Sequence, residues 1–138
     1  IISFLSTTMK NQKCYVIDND YRESIGLELL DLPDNECQFQ NEELKHYNNK
    51  YYCQYHLPIQ GKKELNIDVQ LGINDLIKNG NLNFKYISCV NIKFDFKNIT
   101  FGGFLSFEGA NLFLTEITNI NDIYRFKSIR IKFNSISR

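Results

Sequence analysis

From residue 82 onward, apolar side chains recur at a step that neither regular secondary structure supplies. Leu82, Ile87, Ile92, Phe96, Phe101, Phe107, Leu112 and Ile117 stand four to six residues apart, most often five. An α-helix returns to one face about every 3.6 residues and a strand about every two, so neither gathers this set on one side. The residue two before each is often apolar or small, as at Val90, Ile99, Leu105, Ala110 and Thr115. One geometry accommodates the step. Each five residues make a short β side and a turn, four sides close a square coil, and coils stack at about 4.8 Å so that backbone groups pair. The central residue of each five and the one two before it then face the axis, the latter small because the interior is narrow. Phe107-Glu108-Gly109-Ala110-Asn111-Leu112 fits best. Cys89 falls off the inward positions unless the register shifts by one, and Gly102-Gly103 reads as a tight corner. An antiparallel sheet of alternating Ile and Phe is the other arrangement open to this stretch.

Residues 10–60 have a different character. They are rich in polar and turn-forming side chains and hold three of the four cysteines and both histidines. Ile25, Leu27, Leu29, Leu30, Tyr51 and Tyr52 are too few to make a sizeable core, so a covalent or metal cross-link is expected. Cys53 and His56 stand at Cys-x-x-His spacing, and a tight turn brings such a thiolate and imidazole to one tetrahedral Zn²⁺. A structural site needs four protein ligands. Cys14 and Cys37 complete a Cys3His set, with His46 as a substitute for Cys14. Other readings compete: Cys53 as a small buried hydrophobe beside a surface imidazole, a Cys37–Cys53 disulfide, a catalytic zinc, or a Cys53/His56 nucleophilic dyad. The structural zinc is preferred, because the loop-rich module shows no general base in a formed pocket. Asp18-Asp20, Asp31-Asp34 and Glu42-Glu43 lack the glycine and spacing of a calcium loop and read as solvated turns.

Between these parts, Leu65, Val69, Leu76 and Ile77 fall near helical spacing over residues 62–79 and end at Asn79-Gly80, a C-terminal stop. Ile67, Leu71 and Ile73 also fit a strand alternation. The expected organisation is a Cys/His module over residues 10–60, a capping helix over 62–79 and a β segment over 80–138.

Two stretches carry a family resemblance. Phe101-Gly102-Gly103-Phe104-Leu105-Ser106-Phe107-Glu108-Gly109-Ala110-Asn111-Leu112 resembles a run from the pentapeptide-repeat proteins. Tyr51-Tyr52-Cys53-Gln54-Tyr55-His56-Leu57-Pro58 resembles the Cys-x-x-His-x-Pro element that precedes a short helix and then the repeats in a bacterial subset of that family. The order of the parts matches over roughly residues 37–120. The resemblance implies a mainly β protein, a short right-handed quadrilateral β-helix preceded by a loop-rich Cys/His module and one helix. Phe94, Ile99 and Leu105 stand where the family prefers small residues, Phe101 to Phe107 is a step of six, and the pattern degrades after Ile117, so the implied coil is imperfect or partial.

The chain has 16 basic and 16 acidic side chains among 138 residues, so no global field steers it to nucleic acid, a membrane surface or an acidic partner. Lys62-Lys63 and Arg125, Lys127, Arg130 and Lys132, with Tyr124, Phe126 and Phe133 interleaved in the tail, are the residues a nucleic-acid surface would use, but the same alternation also places Lys and Arg on the wet face of a strand. No apolar run is long enough to span a bilayer and no secretory signal is evident, which gives a cytoplasmic expectation. A chain that opens on Ile1 and stops within an alternating stretch reads as a fragment or truncated reading frame. The expected function is a non-catalytic structural or interaction protein. In it zinc on Cys14, Cys37, Cys53 and His56 forms a cap, and a repeat β surface meets a protein partner. A small metal-dependent or cysteine enzyme and a nucleic-acid-binding module are the alternatives. DNA mimicry, known among the proteins it resembles, needs an acidic surface and does not carry over to a neutral chain.

Overall fold

The computed structural model describes residues 13–30, 36–39, 42–99 and 105–119. Helix α1 (Asn19–Ser24) starts where the Asp18 side chain accepts from Tyr21 N at 3.1 Å, an N-cap made by a residue type suited to it. A hairpin follows, β1 (Lys45–Tyr47) against β2 (Lys50–Tyr52), antiparallel with His46 opposite Tyr51. Its two turn residues, Asn48 and Asn49, both have positive φ, which a two-residue hairpin demands and asparagine tolerates.

In place of one helix over residues 62–79 there are two, α2 (Ile59–Glu64) and α3 (Gln70–Lys78). The break lies at Asn66, whose φ of 55° ends α2 in a left-handed turn. Asn66 N donates to Lys63 O at 3.3 Å and Ile67 N to Lys62 O at 2.9 Å, the paired bonds of a Schellman stop. Gly80 ends α3 the same way, with Gly80 N on Ile77 O at 3.0 Å and Asn81 N on Leu76 O at 2.8 Å.

Beyond α3 the chain makes two passes. The first holds β3 (Ser88–Val90) and β4 (Lys93–Asp95), the second β5 (Asn111–Phe113) and β6 (Glu116–Thr118). β3 pairs in parallel with β5 and β4 with β6, and an isolated bridge joins Asn83 to Ser106. All three pairings share one 23-residue displacement: Asn83 to Ser106, Ser88 to Asn111, Lys93 to Glu116. Left-handed residues mark the corners at Tyr86 and Asn91 in the first pass and at Gly109, Leu114 and Asn119 in the second.

These passes correct the expected quadrilateral β-helix. Among the described residues the sheets are only two-stranded, one antiparallel and two parallel, and none closes or extends into a solenoid. The fold is mixed α and β. The physical reason lies in the departures from the repeat. A displacement of 23 residues is not a multiple of five, and Phe94 and Leu105, where a square coil needs small side chains, are both fully buried. The five-residue step records where the chain turns, not a uniform stack. Cys89, placed off the interior in the first register, is fully buried on β3. Phe101, Gly102, Gly103 and the basic positions from Arg125 to Lys132 lie outside the described residues.

One core joins the parts. Phe84 stacks on Phe107 with centroids 5.3 Å apart, and Phe94 meets both edge-on at 5.1 and 5.0 Å. Phe96 and Leu112 belong to the same cluster, which takes Val69, Ile73 and Ile77 from α3 and its flank and Cys53 and Tyr55 from the Cys/His module. The outer edge of the first pass is covered as well. The Gln38 side-chain amide donates to Asn83 O and Lys85 O, Ser88 N donates to Tyr55 O, and the Gln70 amide both donates to Lys93 O and accepts from Lys93 N. On the other side Arg22 reaches the second pass, its Nη1 donating to Gly109 O at 3.1 Å.

Helix α3 meets the module at Gly72, where a Cβ would collide with the Tyr55 hydroxyl and ring. Gly72→Ala should therefore destabilise the protein by about 1–3 kcal/mol, against the stabilisation of about 1 kcal/mol that the same change gives in an unencumbered helix. Denaturant unfolding reads the sign. Phe84→Ala, removing the ring shared by Phe94 and Phe107, should cost about 3–5 kcal/mol in the same measurement.

Candidate metal centre

The four sequence-predicted ligands come from three stretches of chain. Cys14 lies on an extended segment held along β2, where Tyr15 N donates to Tyr51 O at 2.7 Å. Cys37 lies on residues 36–39, which the Gln38 amide fastens to the first pass. Cys53 directly follows β2, and a turn closed by Leu57 N donating to Cys53 O at 3.0 Å carries His56 back beside it. Pro58 then caps α2 and fixes the direction in which the chain leaves.

The three sulfurs and one imidazole nitrogen lie within 4.8 Å of one another. Nδ1 of His56 is 3.5 Å from the Cys14 sulfur, 3.5 Å from that of Cys37 and 3.2 Å from that of Cys53. The Cys37 and Cys53 sulfurs are 3.7 Å apart, well beyond the roughly 2.05 Å of a disulfide bond, so that pairing is not formed. This arrangement is compatible with a metal site. His46, the other histidine, lies on β1 against the Tyr51 ring, so Cys14 is the fourth member.

The tautomer of His56 follows from its second nitrogen. Nε2 lies 3.2 Å from the Lys85 carbonyl, which can only accept, so Nε2 carries the proton and the Nδ1 lone pair faces the sulfurs. Ligand histidines are oriented by such outer contacts. The sulfurs are addressed in the same way. Cys53 N donates to Cys14 Sγ at 3.1 Å and Phe39 N to Cys37 Sγ at 3.4 Å, bonds that favour thiolates. The Phe39 ring packs on Tyr55 at 4.4 Å and on the imidazole at 5.4 Å, closing the site on that side.

Thiols this close do not ionise independently. Hydrogen bonds from Cys14 and Cys53, with His56 adding to them, hold the Cys37 thiol far below the ordinary range. The hydrogen bond with Cys37 in turn raises Cys14 to about 12, and those with Cys14 and Cys37, together with burial, push Cys53 higher still. These bonds favour a thiolate at Cys37 over one at Cys14 or Cys53, and a cation bound among the sulfurs would favour the ionised form of each.

Two contributors carried no sequence signal. The Lys85 carbonyl is a backbone group that any residue supplies. Asp18, grouped above with Asp20 as a solvated turn, is buried, whereas Asp20 is exposed. The Asp18 carboxylate accepts from Lys50 Nζ at 3.0 Å and from the Tyr52 hydroxyl, and so fastens the segment bearing Cys14 to the hairpin. Asp31 and Asp34 lie outside the described residues.

Burial alone would raise the Asp18 pKa, but the bonds from Tyr52, Lys50 and Tyr21 N outweigh it and leave the group more acidic than an ordinary aspartate. A carboxyl more acidic folded than unfolded adds stability that is complete above about pH 4 and is lost as pH falls through the lowered folded value. Asp18→Asn should cost about 1.5–3 kcal/mol at pH 7 and flatten the acid limb of a stability–pH profile. No family model matches the chain, and comparison with curated proteins and with solved structures returned no match.

Proposed function

We propose that this protein is a non-catalytic structural or interaction module whose Cys14, Cys37, Cys53 and His56 hold a structural zinc ion, keeping a surface in shape for a protein partner. The observation that carries this reading is the spacing of the four donor atoms. Zn–S bonds of about 2.3 Å and Zn–N bonds of about 2.0–2.1 Å arranged tetrahedrally require sulfurs about 3.8 Å apart and sulfur–nitrogen separations of about 3.5 Å. The cluster has 3.7 Å for Cys37–Cys53 and 3.2 to 3.5 Å for the three contacts to His56, and the Cys14 sulfur lies within 4.8 Å of the other two. Three thiolates with one imidazole are the donors zinc favours over calcium or magnesium.

Four protein donors fill a tetrahedron and leave no position for water or substrate, which separates a structural site from a catalytic one. The Cys53–His56 contact alone would also suit a nucleophile and its base. Both side chains are buried, at 0% and 2% exposure, and two further sulfurs crowd the same nitrogen, which favours a ligand role.

Purified protein should contain one zinc per chain by elemental analysis, and a strong chelator should lower its thermal unfolding midpoint. Cys53→Ser should abolish stoichiometric zinc and lower that midpoint by about 10 °C or more, the shift expected for a loss of about 3 kcal/mol in a chain of this size. Protein without stoichiometric zinc, or unfolding indifferent to the chelator, removes the metal. A Cys53→Ser protein that keeps its stability but loses a measurable activity would favour the enzyme instead.

A further inference from the structure

Lys62 is the least expected side chain in the interior. It lies on α2 at 2% exposure, with Nζ donating to the carbonyls of Leu57 and, at 3.4 Å, Tyr55. Those carbonyls belong to the residues on either side of His56, so the ammonium braces from within the turn that presents Cys53 and His56. The two carbonyls take two of its three hydrogens but leave its charge uncompensated, and an uncompensated buried charge costs several kcal/mol. Among the described residues the ion pairs join Lys45 to Glu43 and Lys50 to Asp18 and Asp20, and none involves Lys62. Burial lowers its pKa to about 8, and the groups that oppose this are the thiols of Cys89, Cys53 and Cys14. The two carbonyls it holds flank His56, three residues after Cys53, so the ammonium stands behind the turn that carries two of the four clustered donors, and thiolates in that cluster would compensate it.

We propose that Lys62 is the buried counter-charge of the Cys14, Cys37, Cys53 and His56 centre, and that it tunes the centre to a divalent ion. This rests on the metal reading above. Three thiolates and a neutral imidazole around a divalent ion carry one net negative charge, which the Lys62 ammonium cancels. A monovalent ion leaves the interior negative and a trivalent ion leaves it positive, and both are penalised in a water-poor site. Lys62 is thus a positioning residue, bracing the turn through two carbonyls and selecting the ion by charge.

Iron serves as the probe, since tetrahedral sulfur-rich sites hold it as well as zinc. The reduction potential of the iron-loaded protein is compared with that of Lys62→Met, which keeps the aliphatic stem and removes the charge. Loss of a nearby positive charge favours the ferric state, so the potential should fall. The expected tenfold gain of ferric over ferrous iron corresponds to about 59 mV for a one-electron couple. A purely structural lysine would lower stability and leave the potential unchanged, which overturns the proposal. If Lys62→Met does not fold, Lys62→Gln keeps a donor for the two carbonyls. Competition between Zn²⁺ and Ga³⁺ on the unsubstituted protein needs no variant. There the divalent preference should exceed that of a small thiol–imidazole chelator at least tenfold, and an equal preference refutes the counter-charge. A protein that takes up no zinc fails the metal reading and this inference with it, whereas zinc uptake with an unchanged potential fails this inference alone.

Discussion

Convergence of three sulfurs and one imidazole nitrogen is the constraint from which the rest of the molecule is built. It gathers the segment before α1, the short stretch at Cys37 and the turn after β2, none of which has enough apolar surface to hold itself in place. Each donor is in turn held by something that is not a donor. Asp18 ties the first segment to the hairpin, the Gln38 amide ties the second to the first pass, and the Lys85 carbonyl orients the imidazole. The centre and the β passes are consequently one structure, since Gln38 and His56 both end on the carbonyl of Lys85.

That linkage also disposes of a strand edge. The first pass offers its second neighbour backbone groups at Asn83, Lys85, Ser88 and Lys93, and each meets a side-chain amide or a carbonyl from the module or α3. Edges left bare invite pairing with another chain. Covering them with glutamine amides is a local solution that leaves the two passes free to be short.

The site was more legible in the sequence than the fold around it. Cys53 and His56 are three residues apart, and at that separation a turn decides their meeting, so spacing sufficed. Cys14 and Cys37 were reachable by counting the donors a tetrahedron needs. The choice of Cys14 over His46 was not, because it depends on how the arm pairs with β2, a contact between residues far apart in sequence. Asp18 and Lys62 were opaque for a related reason, since charged side chains belong on the surface by default and their burial is set by tertiary partners. In the β segment, periodicity implied a turn about every five residues but named neither the corners, which the structure puts at Tyr86, Asn91, Gly109, Leu114 and Asn119, nor the length of a pass. Two or three residues added between corners leave the hydrophobic rhythm nearly intact while changing which strands can pair.

The bond from Arg22 to the carbonyl of Gly109 joins positions 87 residues apart, and Gly109 lies in the second pass. During synthesis helix α1 emerges long before Gly109 has been made, and until then the guanidinium has its bond from Nε to Glu28 O but not the one from Nη1. That one contact therefore cannot close until the second pass has been made, although Asp18 already ties the start of the helix to the hairpin. The four clustered donors, from Cys14 to His56, are all made before Gly109, so they are able to meet while this flank of the molecule still stands open.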